Sequence, residues 1–205
     1  MSASQTEFIV DNLSKLGYSS KRDIIEKLYL GSLKGSYERL DKALSTENDI
    51  RDRFVDDLYH NEQSPIKKWL QYKVIYLNWE NWSFDGDGLK VRSDFSFKFS
   101  GMEFIIECKR LKSADKAYVE EGLERYVNLK YAKGDEYAGM IGFVIEGDKN
   151  MISEGLRGKI KPLPHTESIK KTLPIPFFNS IHQRADNSQI ELYHLFFDFK
   201  LSKPS

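Results

Sequence analysis

Two neighbouring stretches decide the fold: Arg92-Ser93-Asp94-Phe95-Ser96-Phe97-Lys98-Phe99 and Met102-Glu103-Phe104-Ile105-Ile106-Glu107-Cys108-Lys109, which Ser100-Gly101 joins. Apolar residues recur at every second position of each stretch, and this two-residue period is typical of β-strands. A serine and a glycine between two such strands favour a tight turn. The sequence therefore predicts a β-hairpin over residues 92–109.

The length of this turn sets the register of the two strands. With a two-residue turn, Phe99 lies opposite Met102, and Asp94 lies directly across from Glu107. The Cβ atoms of such cross-strand partners are about 4.5–5.5 Å apart, close enough for two carboxylates to share a divalent cation. Lys109 follows on the same face, one pleat beyond Glu107. The hairpin is thus predicted to bring two carboxylates and a lysine together, away from its aromatic face.

Two carboxylates this close repel each other, so the pair predicts a bound cation. Without one, at least one of the two carboxyls should have a raised pKa. Oxygen ligands favour Mg²⁺ or Mn²⁺, and one Cys and four His residues are too few to favour a zinc site. The alternative is the charged, solvated face of an ordinary hairpin. Against it, Phe104-Ile105-Ile106 is apolar on both faces, which is typical of a central strand.

The pattern Asp94…Glu107-x-Lys109 resembles the active-site motif of the restriction-endonuclease-like, PD-(D/E)XK, nuclease superfamily. The proline of that motif is absent, because Arg92-Ser93 precedes Asp94. The resemblance implies an α/β fold with a restriction-endonuclease-like core, in which helices flank a central mixed sheet. It also implies Mg²⁺ or Mn²⁺ as cofactor, Asp94 and Glu107 as metal ligands, Lys109 as a catalytic residue, and phosphodiester hydrolysis that leaves a 5′-phosphate.

The whole chain, residues 1–205, is predicted to form one domain around this hairpin. Residues 1–44 are predicted to be an N-terminal helical extension. Their helical pattern is interrupted by glycines, so several short helices are expected. Residues 45–147 are predicted to be the catalytic core. Residues 148–205 are predicted to be a basic irregular region, rich in Pro and Lys over 162–180, with a closing strand at its end.

Within the core, the pattern predicts the order helix, strand, hairpin, helix, strand, which is the order of the nuclease superfamily's minimal core. The expected elements are a helix from Ser45, a strand from Tyr72 to Trp79, a long helix over 115–132 and a buried strand from Ala138 to Glu146, with the closing strand from Ile190 to Phe199.

The resemblance also implies an acidic metal ligand on the helix before the first strand. Glu47 is the matching residue, because it lies three positions before Ile50 on the apolar stripe that continues through Phe54 and Leu58. Asp49 is the second candidate for this role. The alternative is that Glu47 is a first-turn acid that favours the helix dipole.

Basic residues near the hairpin are candidates for nucleic-acid contacts. Arg110 and Lys112 follow the second strand, and Arg125 on the next helix is placed to contact a phosphate. His182 is a further candidate for substrate contact. The alternatives are a solvated arginine, a solvated loop and a structural histidine. A second basic cluster spans residues 157–171.

Composition limits these expectations. Basic and acidic residues balance at 31 each, so a nucleic-acid surface must be local. The single Cys excludes a disulfide framework, and no signal peptide or membrane-spanning stretch is evident, which favours a cytoplasmic protein with no membrane partner.

Together with the carboxylate pair, the resemblance implies a Mg²⁺-dependent endonuclease, with DNA favoured over RNA as substrate. The segment Tyr118-x-x-Glu121-Gly122-x-x-Arg125-Tyr126 is similar to segments of bacterial nuclease-like proteins of restriction and phage defence. This similarity adds an antiviral role to the prediction. The alternative function is a non-catalytic subunit with a nuclease-like fold that binds nucleic acid, or works through a partner protein of a defence system or as a homodimer.

Overall fold

A computed structural model describes residues 3–43, 46–84, 90–171 and 178–200 of the chain. The helices are α1 (Ala3–Lys15), α2 (Lys21–Ile24), α3 (Gly31–Arg39), α4 (Glu47–His60), α5 (Lys67–Gln71), α6 (Glu124–Val127) and α7 (Lys149–Ile160). One π-helical segment, Ile25–Leu30, joins α2 to α3, and another, Tyr118–Leu123, runs directly into α6. The strands are β1 (Tyr76–Phe84), β2 (Lys90–Phe99), β3 (Met102–Leu111), β4 (Tyr137–Val144), β5 (Thr166–Lys171), β6 (Phe178–Gln183) and β7 (Gln189–Asp198).

These strands form one mixed sheet in the order β1-β2-β3-β4-β7-β6-β5. The first three strands are antiparallel, β3, β4 and β7 are parallel, and β6 is antiparallel to both β7 and β5. The chain is therefore an α/β protein with a seven-stranded mixed sheet, and the predicted N-terminal helices precede that sheet. The predicted order of core elements, from α4 to β4, is also observed.

The hairpin has the predicted register. Ser100 and Gly101 both have positive φ, +47° and +83°, as a type I′ turn requires. Backbone pairing runs from Phe99 with Met102 to Phe95 with Ile106. A side chain outside the hairpin supports the turn, because Asn12 Nδ2 donates to Ser100 Oγ at 2.8 Å. The two-residue turn thus sets the alignment of β2 and β3 as the sequence predicted.

Apolar clusters cover both faces of the sheet. On one face, the N-terminal helices pack against the buried phenylalanines of β2, and Tyr29 stacks on Phe97 with ring centroids 4.6 Å apart. On the other face, Ile105 joins a second cluster with Tyr118 and Leu123 of the second π-helical segment. Phe104 lies in the first cluster, so neighbouring residues of β3 are buried on opposite faces. This confirms the prediction that β3 is a central strand.

Helix α4 begins at Glu47, directly after its N-cap residue. Thr46 is the N-cap, and its hydroxyl accepts a hydrogen bond from the backbone N–H of Asp49 at 3.1 Å. The predicted stripe of Ile50, Phe54 and Leu58 is buried. Glu47 therefore stands in the first turn of α4, at the end that faces β3.

Three predicted elements have different bounds. The first strand begins at Tyr76 rather than Tyr72, because α5 and a left-handed residue, Lys73 with φ +55°, come before it. The helix expected over 115–132 is shorter and partly π-helical, and Leu129 with φ +57° ends any continuation. Residues 162–180, predicted as irregular, include β5 and the start of β6. The sheet is correspondingly wider than the predicted core.

None of the helices in the described part of the chain combines the length and the hydrophobicity that a membrane span requires.

Candidate active site

Two carboxylates bind alternate backbone N–H groups near the end of β3. Asp94 Oδ2 accepts from the N–H of Cys108 at 2.7 Å, and Glu47 Oε2 accepts from the N–H of Arg110 at 2.9 Å. Cys108 and Arg110 are two residues apart, so their N–H groups point to the same side of the strand, about 6.6 Å from each other. A β2 carboxylate and an α4 carboxylate are thereby held side by side along β3. Glu47 reaches the predicted site.

The third carboxylate, Glu107, is held by two cations. Its Oε1 accepts from Lys109 Nζ at 3.0 Å and from Arg125 Nη1 at 2.8 Å. The Glu107 side chain is only 3% exposed, whereas the Arg125 side chain is 36% exposed. Arg125 Nη1 also donates to the hydroxyl of Tyr131 at 2.8 Å. The structure thus brings Lys109 to Glu107 as predicted, and it adds a guanidinium that the sequence placed at a phosphate instead.

Sequence reasoning missed a buried arginine at this site. Arg51 is 2% exposed, and its Nη1 lies 3.5 Å from Asp94 Oδ1. It follows Glu47 by four residues on α4, so the two side chains lie on one face of the helix. This spacing between an acid and an arginine, next to the buried stripe, was the signal available in the sequence. Arg51 makes the pocket around Asp94 more positive than the motif alone suggests.

The charge of Asp94 acts on both of the other carboxylates. Burial, and then the nearby charge of Asp94, raises the pKa of Glu107 from 4.5 to about 7, although Lys109 and Arg125 act in the opposite direction. Burial and Asp94 also raise the pKa of Glu47. The predicted raised pKa is therefore confirmed for Glu107. Its largest cause is burial, however, and the expected repulsion between carboxylates comes second.

The donor set fits a hard divalent cation in kind, because carboxylate oxygens are the ligands that Mg²⁺ and Mn²⁺ prefer. Even so, the described part of the chain contains no group of three or more His, Cys, Asp or Glu side chains arranged to hold a metal ion. In this arrangement Asp94 and Glu47 are bound to backbone N–H groups, and Glu107 is paired with Lys109 and Arg125. A cation bound to Glu107 would therefore stand close to two positive side chains.

The remaining predicted residues divide into two groups. Arg110 and Lys112 are exposed near the end of β3, where Lys112 Nζ lies 3.4 Å from Glu146 Oε2. Asp49 is exposed and serves the N-cap of α4, since its Oδ2 accepts from the hydroxyl of Thr46 at 2.5 Å. Of the two acids considered on α4, Glu47 is therefore the one that contacts β3.

The expectation that His182 contacts a substrate is wrong, because its side chain is fully buried. Its Nε2 lies 2.6 Å from Ser180 Oγ and its Nδ1 lies 3.1 Å from Thr166 Oγ1. The chain of contacts continues from Ser180 Oγ to His194 Nε2 at 2.7 Å, and from His194 Nδ1 to the hydroxyl of Tyr118 at 3.0 Å. Burial lowers the pKa of His182 to about 3, so the ring stays neutral inside the protein.

The second basic cluster is divided by the topology. Strands β3, β4, β7 and β5 run in the same direction. Lys170, near the C-terminal end of β5, therefore lies at the same end of the sheet as the C-terminal end of β3. Helix α7 starts after β4 at that end and runs back, so Arg157 and Lys159 lie toward the opposite end of the strands. The second basic cluster, predicted over residues 157–171, is therefore not a single surface.

One glycine lets the second π-helical segment approach the side chain of Met140 on β4 closely. A Cβ atom on Gly122, in the second π-helical segment, would lie 2.5 Å from Met140 Cε and 3.7 Å from Lys109 Cε. The π-helical segment can therefore pack closely over β3 and β4 at this position.

Comparison of the chain with protein-family models, with curated proteins and with solved structures finds no match.

Proposed function

We propose that this protein is a metal-dependent endonuclease of the restriction-endonuclease-like type, which hydrolyses phosphodiester bonds and favours DNA. One observation carries the proposal: Asp94, Glu107 and Lys109 meet near the end of β3, beside Glu47 of α4. The order α4, β1, hairpin, helical segment, β4 agrees with the core that the motif implies. The raised pKa of Glu107 adds support, since perturbed carboxyls concentrate at functional sites.

In this proposal, Asp94, Glu107 and Glu47 hold Mg²⁺ or Mn²⁺. The bound ion would supply a Lewis acid that lowers the pKa of a water molecule and offsets charge on the phosphoryl group. Asp94 is oriented for this role by the N–H of Cys108 and by Arg51. Lys109 would orient the attacking water or stabilise charge on the transition state, because its ammonium lies 3.0 Å from Glu107 Oε1.

Substrate contacts are assigned to exposed basic residues around the same strand end. Arg110 and Lys112 are exposed there, and the Arg125 side chain is partly exposed beside Glu107. Phosphate contacts of this kind position a nucleic acid without reading its sequence. The balanced net charge of the chain agrees with such a local surface. A role in restriction or phage defence, in a cytoplasmic setting, stays part of the proposal.

A cleavage assay tests this function. Plasmid DNA, single-stranded DNA and RNA are incubated with the protein and Mg²⁺ or Mn²⁺, and EDTA is the control. We expect cleavage that EDTA stops, that Asp94→Asn abolishes and that Asp49→Asn leaves intact, because only the first carboxylate binds at β3. Cleavage that survives in Asp94→Asn would contradict the assignment of the site.

One observation favours a second candidate, a non-catalytic subunit that binds nucleic acid or a partner protein. Three cations, Arg51, Lys109 and Arg125, already balance the three carboxylates in the absence of a metal. On this alternative the ion pairs are structural, and the protein acts through a defence partner or as a homodimer. Wild-type protein that binds DNA with unchanged affinity in EDTA, and cleaves none of the substrates, would support it.

A further inference from the structure

We propose that Arg125 competes with the divalent cation for Glu107, so that nucleic acid and cation bind cooperatively. In the free protein the guanidinium of Arg125 occupies Glu107, and a phosphate of the nucleic acid draws it away and leaves the carboxylate to the cation. This inference rests on the proposed function, and it concerns how the same site is regulated.

The geometry singles out Arg125 among the cations of the site. It is the most exposed of the three, with 36% of its side chain accessible, compared with 20% for Lys109 and 3% for Arg51. Its guanidinium therefore has access to solvent while it donates to the buried Glu107. A phosphate in solvent can therefore reach the Arg125 guanidinium.

The contacts of Glu107 place positive charge where a cation would bind. Glu107 Oε1 accepts from Lys109 and from Arg125 at once, so the same oxygen carries two positive donors. A divalent cation on this carboxylate would stand beside both donors, and like charges at such distances repel. Moving Arg125 away removes the more accessible of the two.

A phosphate is the natural group to move it. A guanidinium binds phosphate oxygens through paired hydrogen bonds, as it binds a carboxylate. Tyr131 holds the other side of the same nitrogen, with its hydroxyl 2.8 Å from Arg125 Nη1, and Arg125 also lies over the Tyr131 ring. The arginine is thus anchored near the site, where it can alternate between Glu107 and an incoming phosphate.

Thermodynamic linkage makes this inference measurable. If nucleic acid tightens the binding of the cation by some factor, the cation must tighten the binding of nucleic acid by the same factor. We expect a factor of at least about 5, the lower end of the usual range for coupling between two binding events. The coupling should disappear when Arg125 cannot occupy Glu107.

The experiment measures Mn²⁺ binding by electron paramagnetic resonance, with and without an oligothymidylate whose phosphorothioate linkages resist cleavage. The proteins are wild type, Arg125→Gln and the control Arg157→Gln. Arg157 is a matched control, because it also pairs with a carboxylate, Glu154 at 2.5 Å, but on α7 away from the site. We expect Arg125→Gln alone to bind Mn²⁺ at least about fivefold more tightly without the oligonucleotide, and to show little further gain with it.

The outcomes separate the two proposals. Equal Mn²⁺ affinity of Arg125→Gln and wild type, in a wild-type protein that cleaves DNA, would overturn the competition and leave the nuclease standing. Absence of both Mn²⁺ binding and cleavage in wild type would overturn both. If Arg125→Gln does not fold, reciprocal coupling in wild type alone decides, because oligonucleotide affinity that is the same with and without Mn²⁺ refutes the inference.

Discussion

Replacing Glu107 by glutamine should make the protein more stable at high pH and no more stable at low pH. The folded protein raises the pKa of Glu107 from 4.5 to about 7. Between these two pH values the folded state binds a proton that the unfolded chain has released, so the free energy of unfolding falls as the pH rises. The stability contributed by this proton is fully present below pH 4.5 and is lost by about pH 7.

The size of this effect follows from the shift. At 1.36 kcal/mol for each pH unit, the rise in the pKa of Glu107 corresponds to about 3 kcal/mol in the free energy of unfolding. Solvent screening reduces this contribution little, because the Glu107 side chain is buried. Glutamine resembles the neutral acid and does not titrate. We therefore expect Glu107→Gln to match wild type near pH 4.5 and to exceed it by up to about 3 kcal/mol at pH 8, or about 6–12 °C in Tm.

Urea and thermal unfolding of both proteins between pH 4.5 and pH 8, without divalent cations, provide the measurement. Only the difference between the two curves is interpreted, because other raised carboxyls, such as Asp135 with a pKa of about 6, contribute equally to both. Glu103→Gln is the control, since Glu103 is another β3 carboxylate paired with a lysine, 3.3 Å from Lys98. A Glu107→Gln protein that is markedly less stable than wild type at pH 8 would refute the reasoning and indicate that the pairs with Lys109 and Arg125 form a structural salt bridge.

Three further outcomes are expected. Lys109→Ala should lower turnover by about a hundredfold or more with little change in substrate affinity, because Lys109 is expected to act only in the transition state. A uniform loss of substrate binding would instead indicate that Lys109 contacts a phosphate. Glu47→Gln should weaken Mn²⁺ binding, measured by calorimetry. The control Asp56→Asn, which alters an exposed carboxylate of the same helix, should leave the affinity unchanged. Equal Mn²⁺ affinities of Glu47→Gln and wild type would show that Glu47 is not a metal ligand. Ser180→Ala should lower the free energy of unfolding by about 1–3 kcal/mol, because it removes the hydroxyl between two buried histidines, and unchanged urea unfolding would contradict this.

The features that the sequence predicted correctly depend on local rules. The turn at Ser100-Gly101 is enough to define the pairing of β2 with β3, since a hairpin of this length has one register. The apolar stripe of α4 likewise places Glu47 beside the sheet, because side chains three and four residues apart share a helix face. The resemblance supplied the roles assigned to these residues.

The features that the sequence did not predict depend on distant residues. β5 is an edge strand, and its polar, lysine-containing sequence protects an exposed edge but resembles a loop. Arg125 meets Glu107 and Tyr131 only because the π-helical segment before α6 turns it toward β3, and the helical period alone does not reveal that turn. His182 is buried by packing between strands that follow one another late in the chain.

The chain of buried hydroxyls and imidazoles around His182 can carry its protons in one arrangement. The carbonyl of Ile160 has no proton to give, so the hydroxyl of Thr166 donates to it at 3.0 Å and must accept from His182 Nδ1. His182 Nε2 then accepts from Ser180, whose oxygen is left to accept from Nε2 of His194. His194 Nδ1 in turn accepts from the phenol at the far end of the chain.

Each hydroxyl and imidazole between the Tyr118 phenol and the Ile160 carbonyl therefore donates one hydrogen bond and accepts one along the chain, and the two rings are opposite neutral tautomers. An additional proton on either ring would leave two donors facing each other inside the core. The core between β5 and the second π-helical segment thus has a built-in polarity, which runs from the tyrosine to the helix carbonyl and cannot reverse without breaking its last bond.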